Sequence, residues 1–317
     1  MGIPTDRSSH VAAHQTRALP TARLSLAQRK KMWAYIFVAL PFLYFMFVNF
    51  SAMLTSFLFS FEDYVTIRAE RNFIGLDNYT NVVSNPSFHA ALRNTLVFAG
   101  VRVPIVTVLA LGVALLLHSI RRAKGLFRML YFIPFVTSGV AIAWVFKFLY
   151  LPNFGLFTYI FDALKLPRVY FLGDPRTALM SIIAVTIWAG IGYYAIIFLA
   201  GLEDIPEELY EAAMVDGASA WQRFRKITIP LLNRTLVLVI VLALISSLQS
   251  FTFVRLMSKD GFGGPLSSTL TMPLLIYKEA FFSLQMGRAS AIAVIFFAMV
   301  LVATLIQRRL LVREFEY

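Results

Sequence analysis

The stretch Glu203-Asp204-Ile205-Pro206-Glu207-Glu208-Leu209-Tyr210-Glu211-Ala212-Ala213-Met214-Val215-Asp216-Gly217-Ala218-Ser219, running on through Trp221 and Phe224 to Ile227-Thr228-Ile229-Pro230, decides how the chain is read. It predicts two short helices. Pro206 suits a first helical position, Glu207 and Glu208 complement the positive end of the helix dipole, and Gly217 supplies the left-handed backbone that stops a helix. Ser219 can cap the second helix, Arg223, Arg225 and Lys226 lie near its negative end, and Pro230 marks the next break. Ile205, Leu209, Ala212 and Ala213 share one side of the first helix; Trp221, Phe224 and Ile227 recur at three-residue steps on the second. Each helix therefore has an apolar face to bury. The small Ala212 and Ala213 let another surface come close, and Glu211 offers charge-assisted hydrogen bonds at the edge of that contact. Taken alone, the pattern also fits an amphipathic hairpin lying on a membrane surface.

Outward from this loop the chain is apolar. Of its 317 residues 59% are hydrophobic and only 15% charged, against about 25% charged in a soluble domain. That excludes an ordinary soluble enzyme. The absence of cysteine closes off disulfides, a thiolate nucleophile, zinc ribbons and iron–sulfur centres. Six stretches reach the ~20 apolar residues that a bilayer core of ~30 Å requires: 32–59, 93–118, 129–151, 177–202, 231–255 and 286–307. Pro41, Pro104 and Pro134 fall inside these runs, where a membrane helix tolerates a kink. The expected fold is all-α and polytopic, with a tail at 1–31, a transmembrane domain at 32–310 and a short end at 311–317. The tail is expected to be disordered and lacks the apolar segment of a secretory signal.

Basic residues set the orientation, because loops rich in Lys and Arg stay cytoplasmic. Arg7, Arg17, Arg23, Arg29, Lys30 and Lys31 precede the first span, and Arg121, Arg122, Lys124 and Arg128 follow the second. Arg223, Arg225, Lys226, Arg308, Arg309 and Arg313 fall on the same side by parity. The opposite loops carry about half as many basic residues, Arg68, Arg71, Lys165, Arg168 and Arg176 among them. Both termini are expected in the cytoplasm of a cell-membrane protein. The net charge of +12 is spread over membrane-edge loops and forms no aromatic-interleaved patch, so nucleic acid is not an expected partner.

The spacing within the loop carries a resemblance. Glu211-Ala212-Ala213, then Gly217 after three residues, Ile227 after nine more, and Ile229-Pro230 resemble the EAA signature of the membrane subunits of ATP-binding-cassette importers, with Ile229 where Leu is more usual. In the order seen in carbohydrate permeases of the MalF/MalG type come Asn94-Thr95-Leu96, Trp188, Ala200-Gly201-Leu202 and Gly263-Gly264-Pro265. Thr269, Ile276-Tyr277, Ala280-Phe281 and Gly287-Arg288-Ala289-Ser290-Ala291 follow. The resemblance covers roughly residues 32–310. It implies a type I importer fold, MetI-like, with six spans and a cytoplasmic coupling helix. It implies as partners a second, similar permease, two ATPase subunits and an extracytoplasmic solute-binding protein, with Glu211, Ala212, Ala213, Asp216, Gly217, Ile227 and Pro230 in the coupling loop. ATP and Mg would be bound by the ATPase subunits. The sequence agrees on that division, because it contains no Gly-Lys dipeptide from which a phosphate-binding loop could be built.

A sugar site would combine aromatic faces with reorientable amides or hydroxyls. Tyr193, Tyr194, Gln249, Phe251, Thr252 and Phe253 have that chemistry. Arg102, deep in the second span, could line a vestibule or snorkel outward, and snorkelling is the expectation for it as for Lys147. Arg102 and Arg255 are the one hint of a glycerol phosphate or its diester as cargo. Without cysteine or clustered carboxylates, His10, His14, His89 and His118 predict no metal site, and no catalytic constellation is evident. An ion-coupled secondary transporter is the main rival. It would usually need acidic relay groups inside the membrane, and none of the predicted spans contains Asp or Glu.

Overall fold

The computed structural model describes residues 25–68, 70–120 and 122–311. Arg7, His10, His14, Arg17, Arg23, Arg121 and Arg313 lie outside them, as do most of the proposed tail and the end at 312–317. The chain divides into two units, up to Leu54 and from Thr55 onward.

The first unit is one helical run. Helix α1 (Leu26–Phe45) passes through a π turn at Met46–Phe50 into α2 (Ser51–Phe59), which continues into the second unit. Asn49 Nδ2 donates to the Phe45 carbonyl at 3.0 Å within this turn. In the part of the tail that is described, Ser25 caps α1 and Leu26–Lys31 is helical, where disorder was expected. Ser25 and Gln28 form a capping box, the Gln28 N–H donating to Ser25 Oγ and the Ser25 N–H to Gln28 Oε1, so Arg29, Lys30 and Lys31 begin the helix instead of preceding it.

The second unit opens with a two-residue antiparallel pair, β1 (Glu62–Asp63) with β2 (Asn72–Phe73), then α3 (Asp77–Val83) and the long α4 (Pro86–Ser119). There follow α5 (Lys124–Val136), α6 (Gly139–Leu149), α7 (Leu156–Ala163) and α8 (Ala178–Glu203). The loop region holds α9 (Glu207–Val215), α10 (Ala220–Arg223), a π turn (Phe224–Thr228) and α11 (Ile229–Leu231). The last elements are α12 (Asn233–Leu248), α13 (Thr252–Met257), α14 (Met272–Phe281) and α15 (Met286–Leu311).

Helices α4 and α8 pack along each other at the centre. The buried residues of α4 recur at three- and four-residue steps, Ala91, Thr95, Phe98, Arg102, Val106, Ala110, Ala114 and Leu117, and meet Ile182, Ala195 and Phe198 of α8 within one core. Leu96, Val108 and Leu116, on the other faces of α4, remain exposed, as suits a surface turned to hydrocarbon.

Two expected spans are not single helices. Between α5 and α6 the axis bends by 89°, where Thr137 is extended and its Oγ1 donates back to the Ile133 carbonyl. The expected span 231–255 is α12 followed by a break at Gln249 and the separate α13, and it meets the preceding Ala220–Leu231 segment at 68°. Among the described residues four helical runs are long and apolar enough to cross a membrane, or six when each bent pair counts as one.

At one end of the unit polar side chains tie loops to helices. Asn94 Nδ2 donates to the carbonyls of Ser267 and Leu270 (2.8 and 2.9 Å), and Thr95 Oγ1 accepts the Met272 N–H at 2.9 Å. At the other end Lys124 and Arg128 both pair with Glu203, at 2.6 and 2.5 Å.

Candidate functional site

The loop after α8 takes the conformation that its residue types dictate. Gly217 has φ +76°, the left-handed geometry that ends α9. Ser219 and Gln222 form a capping box at the start of α10, with Ser219 Oγ accepting the Gln222 N–H. Two details differ from expectation. Pro206 stands at the N-cap of α9, one place before its first turn. Pro230 does not stop the second helix: the π turn Phe224–Thr228 just before it absorbs the missing N–H, and the sharp bend comes at Leu232. Tyr210 and Thr228 share a hydrogen bond at 3.0 Å that ties α9 to the second segment.

No residue of α9 is buried. Glu211, Ala212, Asp216 and Gly217 are exposed, Ala213, Ile227 and Pro230 half-buried. Val215 is 88% and Trp221 66% exposed, and Met214 and Leu209 are open as well, so the apolar faces of this protrusion have no cover among the described residues. Four apolar side chains this close on a rigid two-helix knob form a surface suited to a protein partner.

Between α4, α5, α6, α8 and α12 lies a cavity of about 710 Å³. It gathers every residue singled out for solute contact: Arg102, Tyr193, Tyr194, Gln249, Phe251, Thr252 and Phe253. The bends make the space. The α5–α6 break presents Phe135, Thr137 and Gly139, and the end of α12 presents Ser246, Gln249 and Ser250. Tyr193 stacks on Phe135, with ring centroids 4.4 Å apart, and forms an edge contact with Tyr194. Sequence reasoning missed Phe135, Thr137, Thr186, Ser246 and Ser250. The signal was present in Thr137-Ser138-Gly139, a polar trio in the middle of an apolar run.

Arg102 does not snorkel. It is 6% exposed, and its Nη1 donates to Ser247 Oγ at 2.8 Å and to the Ala243 carbonyl at 3.4 Å on α12. Lys147, half-buried near the end of α6, donates to the Leu256 carbonyl at 3.1 Å and lies over the exposed Trp144 ring. Arg255 is not at the cavity. It donates to the Gly261 carbonyl at 2.8 Å and sits 4.7 Å from the Phe262 ring centroid, bracing the loop after α13. No group of three or more metal-ligating side chains occurs among the described residues.

A family model described as a binding-protein-dependent transport system inner membrane component matches residues 107–314. The chain belongs to that family. This permease is 36% identical over 256 residues to a probable ABC transporter permease protein of Pyrococcus horikoshii, across 80% of this chain and 87% of that one. It is 33% identical to the trehalose/maltose transport system permease protein MalF of Thermococcus litoralis, across 79% and 84% of the two chains. Among solved structures, a bacterial ABC transporter involved in import of the acidic polysaccharide alginate superposes with a TM-score of 0.77 at 23% identity, over 89% of the permease and 96% of that chain, which is a likeness of fold. The permease is thus a multi-pass membrane subunit of an ABC importer, with the mostly helical architecture of that class, and not its ATPase.

Proposed function

We propose that this permease moves a sugar or oligosaccharide through the cavity between α4, α5, α8 and α12, as one of two similar membrane subunits. Two ATPase subunits, which bind ATP and Mg, supply the work, and an extracytoplasmic binding protein delivers the solute. The observation that carries this reading is the uncovered apolar surface of the α9–α10 knob, rigidified by the Tyr210–Thr228 bond and placed directly at the end of α8, a wall of the cavity. A push on Glu211, Ala212 and Ala213 of α9 passes through the three-residue turn at 204–206 into α8, which carries Tyr193 and Tyr194. The cavity chemistry supports a hydroxylated solute: Tyr and Phe rings beside Gln249, Thr137, Thr252, Ser246 and Ser250 offer faces for stacking and groups that both donate and accept hydrogen bonds. The trehalose/maltose permease among the relatives points the same way.

Glu211→Lys, and separately Gly217→Pro, should leave the protein inserted while ATP-driven uptake falls to the level of vesicles without ATP. Uptake that continues unchanged in both variants would rule out coupling through this loop. Gln249→Ala should alter the rate or preference among saccharides with ATPase docking intact.

A further inference from the structure

We propose that the cavity is shaped for a hydroxylated solute that carries an oxyanion, a carboxylate or a phosphate, and that Arg102 is the group that grips it. The inference deepens the importer reading above and rests on it. Arg102 stands midway along α4, nine-tenths buried, on the wall of the 710 Å³ cavity. A guanidinium has five N–H donors and stays protonated at any working pH. Nη1 reaches Ser247 Oγ and, at a long 3.4 Å, the Ala243 carbonyl; Nε is buried with no partner, and Nη2 has none among the described residues. No Asp or Glu lines the cavity, and Arg102 has no ion-pair partner among the described residues.

A fixed cation at mid-span without a counter-ion is costly, which marks it as functional by default. Clamping α4 to α12 does not explain it. The cross-helix bonds to Ser247 Oγ and the Ala243 carbonyl come from Nη1 alone and need only a donor, which a neutral side chain could supply, so they account for neither the charge nor the rest of the guanidinium. Gly190 supports the opening as well: a Cβ there would stand 3.1 Å from Nη2, so glycine leaves the guanidinium its room beside the cavity. A neutral saccharide would be served by Gln249, Thr137, Ser246 and Ser250 alone. Nη2, unpaired and beside Gly190 on the cavity wall, offers its N–H groups to an anionic group through charge-assisted hydrogen bonds.

The test uses the permease with its partner subunits in lipid nanodiscs at matched ionic strength, probed with digalacturonate, with its neutral twin galactobiose and with glycerol 3-phosphate. The thermal midpoint should rise with at least one anionic probe and not with galactobiose. A rise with digalacturonate alone identifies a carboxylate, a rise with glycerol 3-phosphate alone a phosphate, and a rise with both an oxyanion in general. Arg102→Gln should abolish the rise and, in sealed proteoliposomes, lower uptake of the responding probe by roughly tenfold or more, Arg102→Lys should keep part of the rise, and Ser247→Ala should keep most. An equal response to galactobiose, no response to either anion, or an unchanged anion response in folded Arg102→Gln overturns the proposal. Because the contrast between twins is read on the unmodified protein, it stands even where Arg102→Gln does not fold. Uptake that is insensitive to Glu211→Lys would instead strike the importer coupling and leave the contrast between probes untouched.

Discussion

Asp260 lies in the loop after α13, and its Oδ1 accepts the N–H groups of Phe262 (2.8 Å) and Gly264 (2.9 Å). Burial pushes its carboxyl up and is the largest single influence; the backbone N–H bonds and the charge of Lys278 together outweigh it, so the group ends below its ordinary range. A lowered folded-state value means that the carboxylate stabilises the loop at pH above the unfolded value of about 3.9, and that this contribution is lost as pH falls through the folded value. Hydrogen exchange at Phe262 and Gly264, corrected for intrinsic rates, should therefore stay protected from neutral pH to about 5 and weaken below about 4. Asp260→Asn should show weaker protection that does not respond to acid over that range, and a wild-type profile flat through it would refute the account. The same loop explains why Asn94 and Thr95 mattered in the sequence: their side chains hold Ser267, Leu270 and Met272, contacts that span more than 170 positions of chain. Their residue types were legible at once, but their partners were not, since nothing local ties an amide in one span to a loop before another.

At the level of elements, α5 meets α8 backbone to backbone. A Cβ at Gly192 would run into the carbonyl of Tyr131, and a main-chain atom cannot swing aside as a side chain would. Gly192→Ala should destabilise the fold by about 1–3 kcal/mol, the range for forced overpacking, read as a lower thermal midpoint. Gly100→Ala on α4, where a Cβ meets nothing within 4 Å, should be neutral or slightly stabilising, as alanine is the better helix former. Equal behaviour of the two variants would mean that α5 does not rest on Gly192. The α5–α6 corner shows where sequence reading stops. An apolar run from 129 to 151 has the same hydropathy whether straight or bent by 89°, because hydropathy carries no direction. The α9–α10 loop was legible in far greater detail, since Gly217 and Ser219 act on their own backbone within a few residues. The cavity was legible in chemistry and not in place: its amide and aromatic rings were named from composition, while Arg102 was misread because snorkelling is a local expectation and Ser247 is a distant partner.

Across the whole molecule one contact decides how many times the chain crosses the membrane. Lys124 and Arg128, at the start of α5, both reach Glu203, at the end of α8. These residues must therefore share a side. Helix α8 is a 26-residue apolar run long enough to cross once, so we propose that the chain between Lys124 and the start of α8 crosses once as well and that the bent α5–α6 pair is a span instead of a re-entrant hairpin. With the excess of basic residues on the Lys124 side, that side is proposed to be cytoplasmic. The chain contains no cysteine, so a single introduced thiol reports its own side without background. Phe154, 84% exposed between α6 and α7, and Val215, 88% exposed at the end of α9, are the positions to use. In intact cells a membrane-impermeant maleimide should label Phe154→Cys and spare Val215→Cys, and inverted vesicles should reverse the pattern. A re-entrant pair would also put the two thiols on opposite sides, but with Val215→Cys outside, where no ATPase could reach the knob; labelling of Val215→Cys in intact cells would therefore undo both the topology and the coupling built on it.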